Sequence, residues 1–373
     1  MKYRKDSILL FACIEKNIGD DLFIQTICNR YPGKRFIISN KAKYGSLREI
    51  DNLEFSKVLE WWLLFDSVSS SNIIKRCIAK FAKVFLRFVL GKHDIGVYIV
   101  GNAFKNTNYT DSTQLNWLKN RIALTKQFYL LSTNFGPYND NRWKDEAHIC
   151  FEQVTDICFR DLNSYNLFAD LPNVRYAPDA ILSLGKQCKE DTNKTILISV
   201  IDCNYSSRDI WLKKLSSSYE NKIIEIIKQF KEKDYNVILI NSNTEQDSPA
   251  SKRIKSHFSS ESVSVFDYMG DLNKLKELYS SAEYVIGTRL HTIILAWLFD
   301  IPVYPIVYDI KVENMLKSYS FKGEYTMILD IESLNVASII KAFANYKGIE
   351  RKTIDTAGEQ FSILDKRLSD ETR

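Results

Sequence analysis

Glu283-Tyr-Val-Ile-Gly-Thr-Arg-Leu-His-Thr-Ile-Ile-Leu-Ala-Trp-Leu-Phe-Asp300, running on into Ile301-Pro-Val-Tyr304, is the stretch that decides the fold. The β-branched apolar run from Tyr284 to Ile286 stops at Gly287-Thr288. A helical apolar pattern starts at Leu290, and a second apolar run follows within two residues of its end. That order reads as strand, turn, helix, strand. It puts a permanent cation, Arg289, and a titratable imidazole, His291, at a strand's carboxyl tip and a helix N-terminus. In open α/β sheets ligands bind at that edge, and helix N–H groups there attract anions. Arginine offers a planar fork to carboxylate or phosphate, and histidine moves a proton near neutral pH. An anion-binding catalytic corner is expected.

Working outward, strand-like and helix-like segments alternate along almost the whole chain, the pattern of parallel α/β sheets. Strands are expected at 8–13, 35–39, 96–100, 128–132, 157–160 and 174–176. Helices between them are expected at 21–31, 115–126, 143–154 and 164–171. The polar stretch 185–194 is the best linker. Beyond it, strands are expected at 195–201, 236–241, 262–266, 284–286 and 303–307. Helices are expected there at 211–233, 248–257, 272–281 and 291–299, with 335–369 mainly helical. A chain of 373 residues exceeds what one core usually supports. The expected fold is α/β, two Rossmann-like domains, 1–185 and 186–373, with a cleft between them. No sequence repeat links the halves, so the pairing rests on element order.

Composition limits the function. Hydrophobic residues make up 45% and aromatics 13%, enough for burial. A net charge of +5 without a basic–aromatic groove gives no ground for a nucleic-acid partner. Seven cysteines form no Cys-x-x-Cys pair, and the four histidines are scattered, so no metal site and no disulfide framework is expected. The apolar run 8–14 behind Lys2, Arg4 and Lys5 is short for a signal peptide, and no 18-residue apolar stretch occurs. The cytoplasm is the expected location.

Other segments fall at strand ends. Glu15-Lys-Asn-Ile-Gly-Asp-Asp-Leu22 joins the first strand to the first helix. Asn17 and Gly19 suit a turn there. Asp20 or Asp21 suits an N-cap, which leaves the other carboxylate for substrate. It is not Gly-x-Gly-x-x-Gly, so a dinucleotide fingerprint is absent. Gly101-Asn102 and Phe135-Gly-Pro-Tyr138 read as turns at carboxyl ends. Arg160 stands at another strand end, with Ser164 placed to cap a helix and Asp161 or another acid available as an ionic partner. Residues 74–90 carry five cations, no acid and a rich apolar face. Such a helix either packs on the sheet with solvated lysines, the plainer reading, or lies on an anionic membrane surface.

Together these motifs resemble the signature of polysaccharide pyruvyl transferases. The resemblance rests on Gly287-Thr-Arg-Leu-His-Thr-Ile-Ile-Leu-Ala-Trp, then Ile301-Pro302 and Tyr308-Asp-Ile-Lys311. Asn17-Ile-Gly-Asp-Asp21, Phe135-Gly-Pro137, and Arg160-Asp161 with Ser164 and Leu167 match in the same order, covering roughly 15–311. It implies a two-lobed fold similar to GT-B glycosyltransferases. The implied activity moves pyruvate from phosphoenolpyruvate onto a sugar of a glycan precursor as a ketal, with no cofactor or metal. It also implies donor contacts from Arg289, Leu290, His291 and a second arginine, Arg160. Asn17, Asp20, Asp21, Gly101, Asn102 and Lys311 complete the expected substrate-binding set. His291 is the expected proton donor, its basicity raised by the bound trianion. One departure is Gly101-Asn102-Ala103, where members often have consecutive glycines, which narrows or re-aims the acceptor side. The expected partners are phosphoenolpyruvate and a free or lipid-linked glycan. A peripheral contact with the inner face of the cytoplasmic membrane is a further expectation. The alternatives are a GT-B glycosyltransferase using a nucleotide sugar and a non-catalytic glycan-binding homologue.

Overall fold

The computed structural model describes residues 4–67, 73–106, 113–190, 193–259 and 262–370. Chain packing divides it into two units, one of residues 1–14, 20–180 and 356–373, the other of 15–19 and 181–355.

The first unit holds β1 (Arg4–Phe11), β2 (Arg35–Ser39), β3 (Leu53–Ser56), β4 (His93–Ile99), β5 (Phe104–Asn106), β6 (Thr125–Thr133), β7 (Phe135–Tyr138), β8 (Asp156–Phe159) and β9 (Val174–Tyr176). Seven of these form one parallel sheet in the order β3-β2-β1-β4-β6-β8-β9, and β5 pairs with β7 separately. The second unit holds β10 (Thr195–Ser199), β11 (Asn236–Asn241), β12 (Val263–Asp267), β13 (Tyr284–Gly287), β14 (Val303–Val307) and β15 (Thr326–Met327). They make a parallel sheet in the order β12-β11-β10-β13-β14-β15. Every residue of β10 and β14 is buried. Helices cover parallel sheets on both faces, so central strands read as unbroken apolar runs.

Counted within its own sheet, the second unit runs 3-2-1-4-5-6, the Rossmann order, and the first runs the same order with a seventh strand, β9, added at the end. The order reverses between β1 and β4, and again between β10 and β13. At such a switch point the loops after the two strands diverge and open a crevice at their carboxyl ends. The corner after β13 therefore lies where this architecture concentrates ligands.

Three helices matter below: α1 (Ile18–Arg30), whose first two residues belong to the second unit and the rest to the first, and α2 (Lys57–Asp66) and α3 (Ile73–Leu90) of the first unit. The C-terminal segment, read from sequence as part of the second domain, packs with the first unit. The Arg30 guanidinium donates to Asp365 at 2.5 Å and Tyr31 Oη donates to Asp365 at 2.8 Å. Arg367 is paired with Asp94. Gln360 accepts from Ser132 N at 2.9 Å and donates to the Ala177 carbonyl at 2.7 Å. None of these long-range polar pairings has a local sequence signal.

Other elements depart from the sequence reading in smaller ways. The helix expected over 211–233 breaks at Leu215 into Ile210–Lys214 and Ser216–Lys231, ahead of three serines, which compete poorly as helix formers. The segment expected to be mainly helical over 335–369 is interrupted around Gly348, whose φ of +60° no regular helix accommodates. Phe135–Tyr138, read as a turn, is the short strand β7.

Candidate active site

Five segments of the second unit meet at the carboxyl edge of its sheet. Arg289 follows β13 and is the N-cap residue of the helix Leu290–Leu298, whose first turn has no side-chain cap. The Arg289 amide donates to Ser199 Oγ at the end of β10, at 3.3 Å. Thr292 Oγ1 donates back to the Arg289 carbonyl at 2.5 Å. Gly287 permits this tight turn, since a Cβ there would lie 2.6 Å from the Ile293 side chain.

The Arg289 guanidinium is not an idle cation. Its Nε donates to Asp247 Oδ2 at 3.1 Å, Nη2 pairs with Asp247 Oδ1, and Nη2 also donates to Gln246 Oε1 at 3.0 Å. Asp247 is fully buried in the first turns of the helix Thr244–Lys255, after β11. Burial alone would favour a neutral guanidinium, but Asp247 and the neighbouring Tyr308 hold it charged and push its pKa upward. The fork expected to grip a ligand is thus largely engaged within the protein.

More positive charge stands beside it. The Arg208 guanidinium, from the loop after β10, lies 5.1 Å from the centroid of the Tyr308 ring. Its Nε and Nη2 are buried and have no hydrogen-bond partner among the described residues. Lys311 Nζ approaches the same ring at 6.0 Å and pairs with Asp309 at 3.2 Å. For Tyr308, burial would raise the phenol pKa, yet Lys311, Arg289 and Arg208 together bring it below the ordinary value. For Lys311, burial favours the neutral amine, but Tyr308 and Asp309 outweigh it and its pKa rises. Three cations converge on one phenol.

The segment 15–19 closes this corner. Asn17 bridges Asn243, and the Ile18 amide donates to the Ser242 carbonyl at 3.1 Å. Asn17 Oδ1 accepts from the Gly19 amide at 3.0 Å, and Lys16 turns through a left-handed φ of 49°. Gly19 then lies flat against His291: a Cβ built there would be 1.9 Å from Nδ1 and 2.1 Å from Cε1. The glycine of the first motif makes room for the histidine of the last. Asn243 also caps the helix that carries Asp247 and donates its amide to that carboxylate at 3.2 Å. Asn17, Asn243, Asp247 and Arg289 are one connected polar set.

Other expected site residues lie in the first unit. Asp20 and Asp21 sit in the first turn of α1. Asp21 is fully buried and accepts from Tyr44 Oη at 2.6 Å. Asp20 is half-buried. Arg160 is 4% exposed, and its guanidinium donates to Asp179 at 2.8 Å and Asn134 at 2.9 Å, not to Asp161. Gly101 packs directly on it, since a Cβ at Gly101 would be 2.7 Å from Arg160 Nη1. Asn102, next in the turn, is exposed. The cap expected of Ser164 is made by Asp161, which accepts from the Ser164 amide at 2.9 Å, while Ser164 Oγ accepts from the Phe135 amide at 2.8 Å.

Sequence reasoning missed Arg208 and Asp247. The signal for Asp247 was the polar run Asn243-Thr-Glu-Gln-Asp247 directly after an apolar strand. Placing that helix at 248 left the run in a loop, whereas it forms the helix start. Arg208 had no such signal.

The family model for polysaccharide pyruvyl transferase matches residues 17–310 of this chain. The amylovoran biosynthesis protein AmsJ of Erwinia amylovora is 25% identical over 277 residues, covering 66% of this chain and 65% of AmsJ, just under two thirds of that relative's length. Among solved structures, the UDP-GlcNAc 2-epimerase of Methanocaldococcus jannaschii superposes with a TM-score of 0.61 at 12% identity, covering 97% of this chain and all of that one. The UDP-GlcNAc 2-epimerase of Neisseria meningitidis gives 0.56 at 13% identity, covering 97% and 99%. At such identity the likeness speaks to fold alone: two Rossmann-like domains of the GT-B type.

Proposed function

The chain belongs to the polysaccharide pyruvyl transferase family, and from that premise we propose that it transfers pyruvate from phosphoenolpyruvate to a sugar of a polysaccharide or glycan precursor, releasing phosphate. The observation that carries this reading is the convergence of Arg208, Arg289 and Lys311 on Tyr308, one corner away from His291. Phosphoenolpyruvate is a compact trianion bearing both carboxylate and phosphate. Unpartnered guanidinium N–H groups at a strand's carboxyl edge suit such a ligand.

The chemistry assigned to the corner is as follows. His291 delivers a proton to the methylene carbon of the enol, leaving C2 cationic enough for a sugar hydroxyl to attack. One C2–O bond forms, and that hydroxyl proton passes to the now neutral imidazole and restores the imidazolium. A second hydroxyl then displaces phosphate, whose C–O bond breaks as the other proton leaves with it. Arg208 and Lys311 hold the departing phosphate, and Arg289 supplies charge while Asp247 fixes its orientation. Leu290 and Asn17 are assigned to the donor beside them. We assign Asn102 to the glycan, and Arg160, on which Gly101 packs, to fixing that turn.

Calorimetric titration with phosphoenolpyruvate and with nucleotide sugars tests this reading. Binding of phosphoenolpyruvate that weakens about ten- to a hundredfold in Arg208→Ala supports it. Binding of a nucleotide sugar in its place would move the protein to the glycosyltransferase alternative. Turnover about 10²–10⁴-fold lower in His291→Gln, with donor affinity largely kept, assigns the proton transfer.

A further inference from the structure

The helix α3 is covered on the opposite side from the one its apolar residues predict. Ala79, Leu86 and Leu90 are buried, the last two in the same core as Leu59 and Trp62 of α2. Facing away from them, Ile74, Ile78, Phe81, Phe85 and Phe88 recur at three- and four-residue spacing and form one stripe. All five are exposed, Phe81 to 84% and Phe88 to 71%, and Val84 extends the stripe sideways. Five large apolar groups over about 21 Å of helix form a continuous patch of the kind that marks an interaction surface. Neighbouring α2, which packs on α3, adds exposed Trp61 and Leu64.

Charge identifies what covers it. The helix carries Lys75, Arg76, Lys80, Lys83 and Arg87 and no acidic residue. Lys83 is held by Asp66 at 3.0 Å and Arg87 donates to the Ala123 carbonyl at 2.5 Å, both toward the protein. Lys75 and Lys80 are exposed and fall on opposite flanks of the apolar stripe. An apolar face edged by cations matches a surface that is apolar inside and anionic at its rim. A second copy of the chain would bring the same basic flanks to a self-complementary contact. Among the described residues no helix is long and apolar enough to cross a membrane.

We propose that α3 lies in the interface of an anionic lipid bilayer, with Phe81, Phe85 and Phe88 among the acyl chains and Lys75 and Lys80 against headgroup phosphates. This placement is independent of the donor chemistry. It would let the protein work where lipid-linked glycans are held.

Co-sedimentation of the full chain with phosphatidylcholine vesicles, with and without phosphatidylglycerol, tests it. Binding is expected to the anionic vesicles and to weaken as salt rises. Lys75→Gln with Lys80→Gln is expected to weaken it about thirtyfold. The triple change Phe81→Ser, Phe85→Ser, Phe88→Ser is expected to weaken it at least a hundredfold or so, while circular dichroism and phosphoenolpyruvate binding stay as in the parent. As a second readout that keeps the apolar face, Phe81→Trp is expected to shift its emission to the blue on mixing with anionic vesicles only. Equal binding to neutral and anionic vesicles, or none to either, would overturn the proposal. So would a vesicle-independent dimer that the triple change dissolves.

Discussion

Replacing Gly19 by alanine places a methyl carbon where the His291 imidazole now lies. The built Cβ is 1.9 Å from Nδ1, and ordinary contact begins at 3.4 Å, so the ring must retreat by the difference, about 1.5 Å. The backbone of Gly19 has little freedom to give way instead. The Ile18 amide is tied to the Ser242 carbonyl and Asn17 is bridged to Asn243. The helix position itself welcomes alanine by about 0.5–1 kcal/mol, which offsets part of the roughly 1–3 kcal/mol cost of overpacking. The fold should therefore survive, with a net loss of about 0–2.5 kcal/mol. Catalysis should not survive as well, because displacing a reacting group by about an ångström costs about a hundredfold in rate. Phosphate release from phosphoenolpyruvate in the presence of a glycan pool, measured beside donor affinity, reads this out. The expected result is kcat down about a hundredfold with donor affinity changed far less. A well-folded Gly19→Ala protein turning over within about threefold of the parent would refute the placement of His291 as proton donor.

Further outcomes follow from the same corner. Asp247→Ala leaves the Arg289 charge buried and unpaired, so chemical denaturation should show a loss of about 3–5 kcal/mol, and a loss under about 1 kcal/mol would mean the pair is dispensable. Arg208→Ala removes a side chain whose Nε and Nη2 have no hydrogen-bond partner among the described residues, so the stability loss should stay within about 0.5–2 kcal/mol, the worth of its contact with the Tyr308 ring, while donor affinity falls. Tyr308 should ionise ahead of other phenols, in an early ultraviolet titration step that Tyr308→Phe abolishes. A bound anion disfavours the phenolate, so phosphoenolpyruvate should move that step to higher pH, and no movement would place the ligand elsewhere.

How much of this the sequence revealed depends on range. Strands 35–39, 174–176, 236–241 and 303–307 were read with their observed limits, because apolar runs between turn residues are a local signal. The four-residue β3 and two-residue β15 were missed, being too short to show periodicity. Arg289 and His291 stood out because strand, glycine turn and helix are contiguous around them. Their surroundings were not legible: Asp247 is 42 residues from Arg289, and only the sheet order brings β11 and β13 to either side of β10. The fork that looked free was already paired. For α3, amphipathicity announced two faces but could not say which one the protein covers. The plainer reading put the apolar face inward, whereas the chain buries a narrower stripe of Ala79, Leu86 and Leu90.

Pyruvyl transfer itself is tested by incubating the protein with phosphoenolpyruvate and free or lipid-linked glycans, and following phosphate and glycan mass together. One phosphate is expected for each glycan that gains the mass of pyruvic acid less one water, with both signals lost in His291→Gln. Glycan extension at the expense of a nucleotide sugar, with phosphoenolpyruvate untouched, would contradict it.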